Sequence, residues 1–289
     1  MEYILHILIL ICIYAILSLS LNLLVGYTGI LSVAHAAFYG VGAYVAALMA
    51  LRVDSPFLLN LILAMMAAAI LGAIVGIPSL RIKDDYFVIA TFAFQIITFS
   101  ILNNLVDFTG GPLGLPGIPQ PIILGYTVSS HIEFLVLSFL LAAFTYYVCN
   151  KIIKSPFGRV LKAIREDEVF VMSAGKNAAS FKVQIFMVGA ALASISGVIY
   201  AAYITYIDPT SFTVMESIFI ISIVIIGGAG SLRGPIVGSI VLVALPEILR
   251  FVGLPNSIAA NVRQILYGAL LVIFMMWRPQ GFVGEYKLK

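Results

Sequence analysis

The side chains of this sequence that could do chemistry fall into two groups. The first is polar residues set inside long apolar runs: Asn22, His35 within Ala34-His35-Ala36-Ala37-Phe38, Thr91, Gln95 and Asn103-Asn104. Thr91 and Gln95, four apart, share one face of a helix. Such groups can line a path for a neutral or zwitterionic solute, or bond helix to helix for roughly 0.6 kcal/mol each; residue type alone leaves both readings open. His35 is the deepest titratable residue, either a hydrogen-bonded neutral imidazole or a proton relay. The second group lies in the long polar stretch 151–182: Gly158, Arg159, Leu161, Ile164, Arg165, Glu166, Glu168 and Gly175. There Leu161, Ile164, Glu168, Val171 and Met172 recur at helical spacing, an apolar stripe interrupted by one acid. A short amphipathic helix of mixed charge fits a groove on a soluble partner. The alternative is a helix lying on lipid headgroups, which the acids Glu166-Asp167-Glu168 disfavour beside an anionic leaflet.

Neither group is a reactive constellation. No G-x-x-x-x-G-K-[ST] phosphate loop occurs, and Gly227-Gly228-Ala229-Gly230-Ser231-Leu232-Arg233-Gly234 lacks its lysine. H-E-x-x-H, G-x-S-x-G and clustered metal ligands are missing too. Cys12 and Cys149 sit in apolar runs and read as small buried hydrophobes. The expectation is a non-enzyme without cofactor or metal; any ATP and Mg would be bound by another chain.

The elements that must position these residues are membrane helices. Of 289 residues 62% are hydrophobic and 10% charged, with a mean hydropathy of +1.12, against roughly 45–50% and about 25% in soluble domains. That excludes a soluble enzyme, a disordered tail protein and a nucleic-acid binder. The sequence predicts an all-α polytopic bundle in one domain, 1–289, with eight or nine spans near 3–24, 33–51, 57–77, 86–105, 132–150, 183–204, 215–229, 235–251 and 258–277. Segment 215–229 is short and runs into Gly227-Gly228-Ala229-Gly230, which predicts a broken or re-entrant element. Met1-Glu2 enters the first run with no basic region before it, so that run reads as a retained span rather than a signal peptide. Stretch 151–182 holds seven of the 16 basic residues, which places it in the cytoplasm. Nine spans then put Arg81, Lys83, Arg233, Arg278, Lys287 and Lys289 on that side. Met1 and the loop 107–130, free of Lys and Arg, fall outside.

Charge is nearly missing from the centres of these spans. Asp107, Glu133, Asp208 and Glu216 fall at helix ends, and Glu247, Arg250 and Arg263 lie within about two turns of one. A gradient-driven carrier usually places ionisable groups at mid-membrane, so this pattern disfavours one. Small residues recur every fourth position at Ala64-Ala68-Gly72-Gly76, Gly189-Ala193-Gly197-Ala201 and Gly230-Gly234-Gly238, the spacing that lets membrane helices approach closely. In the polar stretch, Ser155-Pro156 is a helix start, with an N-cap serine and proline at the first helical position. The helix continues to Ala174, where Gly175 is placed to end it in the left-handed conformation.

Three blocks resemble the LivM-type permease subunits of branched-chain amino-acid ABC importers. The first is Leu21-Asn22-Leu23-Leu24-Val25-Gly26-Tyr27-Thr28-Gly29 with His35 through Tyr44. The second is Asp85 through Thr91, leading to Asn103-Asn104 and Thr109-Gly110-Gly111-Pro112-Leu113-Gly114-Leu115-Pro116-Gly117-Ile118-Pro119. The third is Gly158-Arg159 through Ala163-Ile164-Arg165-Glu166-Asp167-Glu168 to Gly175 and Asn177, where the family has its coupling helix; at Phe170 and Val171 the family has alanines. The resemblance implies a multi-pass permease subunit of the bacterial or archaeal plasma membrane. It would pair with a second, similar permease, dock two cytoplasmic ATP-binding subunits on 156–177, and receive branched-chain or related small amino acids from an extracytoplasmic binding protein. A urea or short-amide importer shares this architecture, and a gradient-driven secondary carrier is the rival from another class.

Overall fold

The computed structural model describes residues 2–79, 84–123, 125–250, 265, 268–274, 276 and 280–283. Arg81-Ile82-Lys83, Arg263, Arg278, Lys287, Lys289 and most of segment 258–277 lie outside them, and Asp84, Asp85, Glu247 and Arg250 are described in their backbone alone.

The apolar runs become helices: α1 (Glu2–Thr28), α2 (His35–Val53), α3 (Phe57–Ser79), α4 (Asp84–Asn104), the single turn α5 (Val106–Thr109), α6 (His131–Lys154), α7 (Pro156–Glu166), α8 (Glu168–Ser173), α9 (Ala178–Ile204), α10 (Val214–Gly227) and α11 (Arg233–Arg250). Two-residue strands β1 (Leu115–Pro116) and β4 (Tyr206–Ile207) pair antiparallel, as do β2 (Ile122–Ile123) and β3 (Tyr126–Thr127). Six helices of the described residues, α1, α2, α3, α4, α6 and α9, are long and apolar enough to cross a membrane. The protein is a multi-pass, all-α membrane protein.

α1 and α9 form the centre, apolar on all sides and buried along most of their length, while α3, α4 and α6 bury one face each. The buried face of α3 is Phe57, Asn60, Ala64, Ala68, Gly72, Gly76 and Ser79, so the four-residue repeat of small residues is its packing surface. Gly197 shows why the size matters: a Cβ there would run into the backbone of α2 at Tyr39 and Ala43. Gly234 and Gly238 lie equally close to the backbone of α10, at Gly228 and Ile223, which folds α10 and α11 into a tight hairpin.

Contacts along α1 identify the two ends of the bundle. Near its start, His6 Nδ1 is 2.8 Å from the Tyr203 hydroxyl, and Tyr203 also packs on His131 and Phe134, placing the end of α9 and the start of α6 there. At its finish, Arg165 of α7 donates to the Gly26 carbonyl. β1–β4 and the loop 107–130 cap the first end; α7 and α8 cover the other. In that loop Gly110 and Gly114 have φ of 74° and 65°, and a Cβ on Gly114 would fall on the Ile207 carbonyl, so only glycine fits.

Candidate functional site

Two helices start inside the bundle rather than at an end. After α1 the chain turns at Gly29, runs back inward through 30–34, and begins α2 at His35. His35 Nε2 lies 3.0 Å from Ser20 Oγ, about two thirds of the way along α1, and Gln95, in the middle of α4, accepts from the Ala37 N–H at 2.6 Å. From the opposite end, the chain after β4 descends through Asp208–Thr213 and begins α10 at Val214. There Tyr14 donates to Glu216 at 2.6 Å, near the centre of α1. α2 then runs to the β1–β4 end, where Arg52 donates to the carbonyls of Asp107 and Phe108. α10 runs to the α7 end. At 14 residues it is about 21 Å long, too short to span about 30 Å of hydrocarbon. The short segment 215–229 is therefore a half-helix, with α11 returning beside it.

The two starts meet head to head. The residue before α2, Ala34, has no side chain able to cap, so the leading N–H groups of α2 borrow acceptors from other helices: Ser217 Oγ of α10 accepts from Ala36 at 3.0 Å and Gln95 Oε1 of α4 from Ala37. Gln95 also accepts from the Ser217 hydroxyl and donates through Nε2 to the Phe212 carbonyl at 2.8 Å. Thr91 accepts from the Val33 N–H at 3.2 Å, holding the entry to α2. All of these side chains are buried. Two positively polarised helix starts at mid-depth form a region complementary to negative charge, closed here by hydroxyl and amide groups.

Of the five sequence-predicted path residues, His35, Thr91 and Gln95 converge at this junction. Asn22 sits lower on α1, where its amide accepts from the Gly230 N–H at 3.0 Å and donates to the Ser231 carbonyl at 2.8 Å, fixing the α10–α11 turn. Asn103 lies about 12 Å beyond Gln95 along α4, at the β1–β4 end and away from the junction. His35 Nε2 bonds the Ser20 hydroxyl, and its Nδ1, fully buried, has no partner among the described residues. Sequence reasoning missed Ser20, Ser217 and Tyr14. It also misplaced Glu216, which is at a helix end as expected, but that end lies at the bundle's centre, so the interior is not free of carboxyl groups.

At the α7 end the predicted start holds: Ser155 Oγ accepts from Gly158 N at 3.2 Å, with Pro156 at the first position. The predicted helix, for which a bend is one reading, divides at Asp167, whose extended backbone ends α7 and whose carboxylate caps α8 by accepting from Phe170 N. Gly175 ends α8 with φ of 78°. Gly158 is buried where a Cβ would strike the Ile152 and Ile153 carbonyls, so α7 lies hard against the end of α6. Leu161 and Ile164 are 1% and 4% exposed. Leu161, Ile164 and Val171 of the expected partner-facing stripe are turned into this chain instead; Met172 of that stripe is exposed, together with Val169 and Phe170. Arg165 donates to Gly26 O at 2.5 Å and pairs with Glu166 at 2.9 Å, and Glu168 pairs with Lys182 of α9 at 2.7 Å. Arg159 and Glu166 are exposed.

A chain of contacts therefore joins the two regions. Arg165 holds one side of the last turns of α1 and Asn22 the other, one helical turn before Gly26. A Cβ on Gly26 would collide with the Gly230 backbone, so the α10–α11 turn rests directly on the segment that α7 grips. Among the described residues no group of three or more potential metal ligands occurs.

The sequence matches the family model described as "Branched-chain amino acid transport system / permease component" over residues 3–275. It is 34% identical to the high-affinity branched-chain amino acid transport system permease protein LivM of Escherichia coli, across 94% of this chain and 68% of that one. Against the probable branched-chain amino acid transport permease protein LivM of Methanocaldococcus jannaschii, identity is 29% across 78% of this chain and 68% of the relative. The permease protein LivH of Escherichia coli is 25% identical across 94% and 91%. No solved structure matches.

Proposed function

From the premise that this chain belongs to the branched-chain amino acid transport permease family, we propose that it is one of two permease subunits of an ATP-driven importer for branched-chain or related small amino acids. ATP and Mg are bound by two separate cytoplasmic subunits docked on 156–177, and an extracytoplasmic binding protein delivers the solute to the β1–β4 end. The α7 end faces the cytoplasm, in keeping with its basic residues.

The observation that carries this reading is the Arg165–Gly26 bond together with the Asn22 clamp. When the ATPase subunits close, α7 moves with them. Arg165 passes that displacement to the end of α1, Asn22 passes it to the α10–α11 turn, and the start of α10 withdraws Ser217 from α2. The first N–H groups of α2 then become available to the solute carboxylate, while the apolar side chain of the solute passes between α1, α2 and α10. The exposed Val169, Phe170 and Met172, with Arg159 and Glu166, form the surface that the ATPase subunits grip.

The test is Arg165→Ala in the complete importer, reconstituted in vesicles with its binding protein. Losing a charge-assisted hydrogen bond of about 1.5–3 kcal/mol lowers uptake about tenfold or more, while ATP hydrolysis continues. Unchanged uptake overturns the linkage. Glu216 at mid-depth favours one rival, a proton-driven carrier, since an intramembrane carboxyl needs a functional reason. That rival requires uptake to stop with an ionophore and to persist without any ATPase subunit.

A further inference from the structure

At the β1–β4 end, the finish of α2, the start of α3 and the finish of α9 line a cavity of about 260 Å³, roofed by residues 118–122. Its floor is small and apolar, with Ala46 from α2 and Ala201 and Ala202 from α9; its polar side chains are Asp54, Ser55, Asn60 and Gln120. Asn60 is turned to Ser55. Asp54 is exposed, and its carboxylate has no hydrogen bond or ion pair among the described residues. Arg52, two residues earlier, is engaged by the Asp107 and Phe108 carbonyls and by the Phe108 ring, 5.0 Å from the guanidinium carbon.

The backbone around the cavity is unusual. Among the described residues, Asp54 (φ 51°) and Thr205 (φ 60°) are the non-glycine residues with positive φ, a conformation disfavoured for side chains and most of all for a β-branched one. Asp54 lines the cavity, and the Thr205 carbonyl accepts from the Ile118 N–H and so anchors its roof. A glycine at 54 would end α2 without that cost but would bring no carboxylate.

We propose that this cavity is an acceptor site for a small molecule carrying an ammonium group on a branched apolar chain, with Asp54 pairing with the ammonium. The inference rests on the reading above of a permease for branched-chain amino acids, whose solute is a zwitterion of that form. The apolar chain lies on Ala46, Ala201 and Ala202. The solute carboxylate faces the Gln120 amide and the opening turn of α3, where the Leu59 and Asn60 N–H groups bond the Pro56 carbonyl and those of Phe57 and Leu58 remain. The site is the first stop on this chain for solute released at the β1–β4 end.

The test measures equilibrium binding to the complete importer in lipid nanodiscs, without its binding protein, using radiolabelled leucine competed by 3-methylbutylamine or by 4-methylpentanoate. The amine displaces leucine and the acid does not. Asp54→Asn, which keeps the left-handed backbone because asparagine tolerates it, weakens leucine binding about tenfold or more by loss of a charged hydrogen bond. Ala202→Phe fills the floor and removes binding, with subunit assembly checked by gel filtration. Wild-type binding in Asp54→Asn overturns the site, as does displacement by the acid in place of the amine. The two proposals fail separately. Asp54-dependent amine binding by an importer that accumulates no leucine keeps the cavity and discards the leucine reading. Leucine accumulation with binding indifferent to Asp54 does the reverse.

Discussion

α2 and α7 begin in opposite ways. α7 carries its own start: Ser155 caps the Gly158 N–H and Pro156 fixes the first turn, all within four residues. α2 starts on Ala34, whose side chain caps nothing, and draws side-chain acceptors from Ser217 and Gln95, 181 and 58 residues away in sequence. A self-capped helix keeps its start wherever it is carried. A helix capped by its neighbours exists at that position only while they stay, and its leading N–H groups change hands when they move. The first arrangement suits a lever and the second a gate.

The harshest test of that contrast is Gln95→Leu. It removes the shorter of two bonds from the Ala37 N–H, which also donates to the Ala34 carbonyl at 3.1 Å, and takes the donor from the Phe212 carbonyl and a partner from Ser217. A buried group left unpaired costs about 1–3 kcal/mol; the Phe212 carbonyl loses its partner outright and two further bonds are lost beside it, a large share of the stability of a whole domain. Expected are a large fall in thermal stability of the purified protein and loss of uptake. If Gln95→Leu keeps both, α2 does not depend on α4 for its start.

Asn22→Leu should cost less, about 2–4 kcal/mol for the Gly230 and Ser231 groups together. It cuts the link between α7 and the hairpin while leaving α7 in place. ATP hydrolysis by the assembled importer should persist and uptake should fall, the same separation expected for Arg165→Ala. Equal losses of hydrolysis and uptake would mean that Asn22 holds the fold and transmits nothing.

What the sequence made legible follows from the same contrast. The start of α7 and the end of α8 at Gly175 depend on neighbouring residues, and both were readable. The buried face of α3 was readable too, because one small residue every four positions has one packing solution. The junction was not. That His35 begins a helix at mid-depth, and that Glu216 lies beside Tyr14 in the bundle's centre, depends on which of several apolar runs is a half-helix, and that is decided by contacts across the whole chain. Segment 215–229 gave the one local hint, being short and followed by glycines. Gln95 and Thr91 were found as polar residues on one face, but their partners, backbone N–H groups of α2, have no side-chain signature. The stripe on α7 was read correctly as buried and assigned to the wrong cover: periodicity shows that Leu161 and Ile164 face something apolar, and here that is the chain itself.

Ser217→Ala sharpens the comparison at its narrowest point. It removes one of the two borrowed acceptors and leaves Gln95 in place, so one buried N–H, that of Ala36, loses its partner. The expected loss of stability is about 1–2 kcal/mol, and Ser155→Ala at the self-capped start should cost about 1 kcal/mol. Stability alone will hardly separate them; conformational exchange will. Withdrawal of Ser217 is the gating step proposed for α2, so Ser217→Ala should shift the population toward the open gate, raising solute leak through ATPase-free vesicles, whereas Ser155→Ala should leave leak unchanged. Equal leak in the two variants would show that a borrowed cap and a local one are mechanically alike, and the assignment of α2 as the gate would fall.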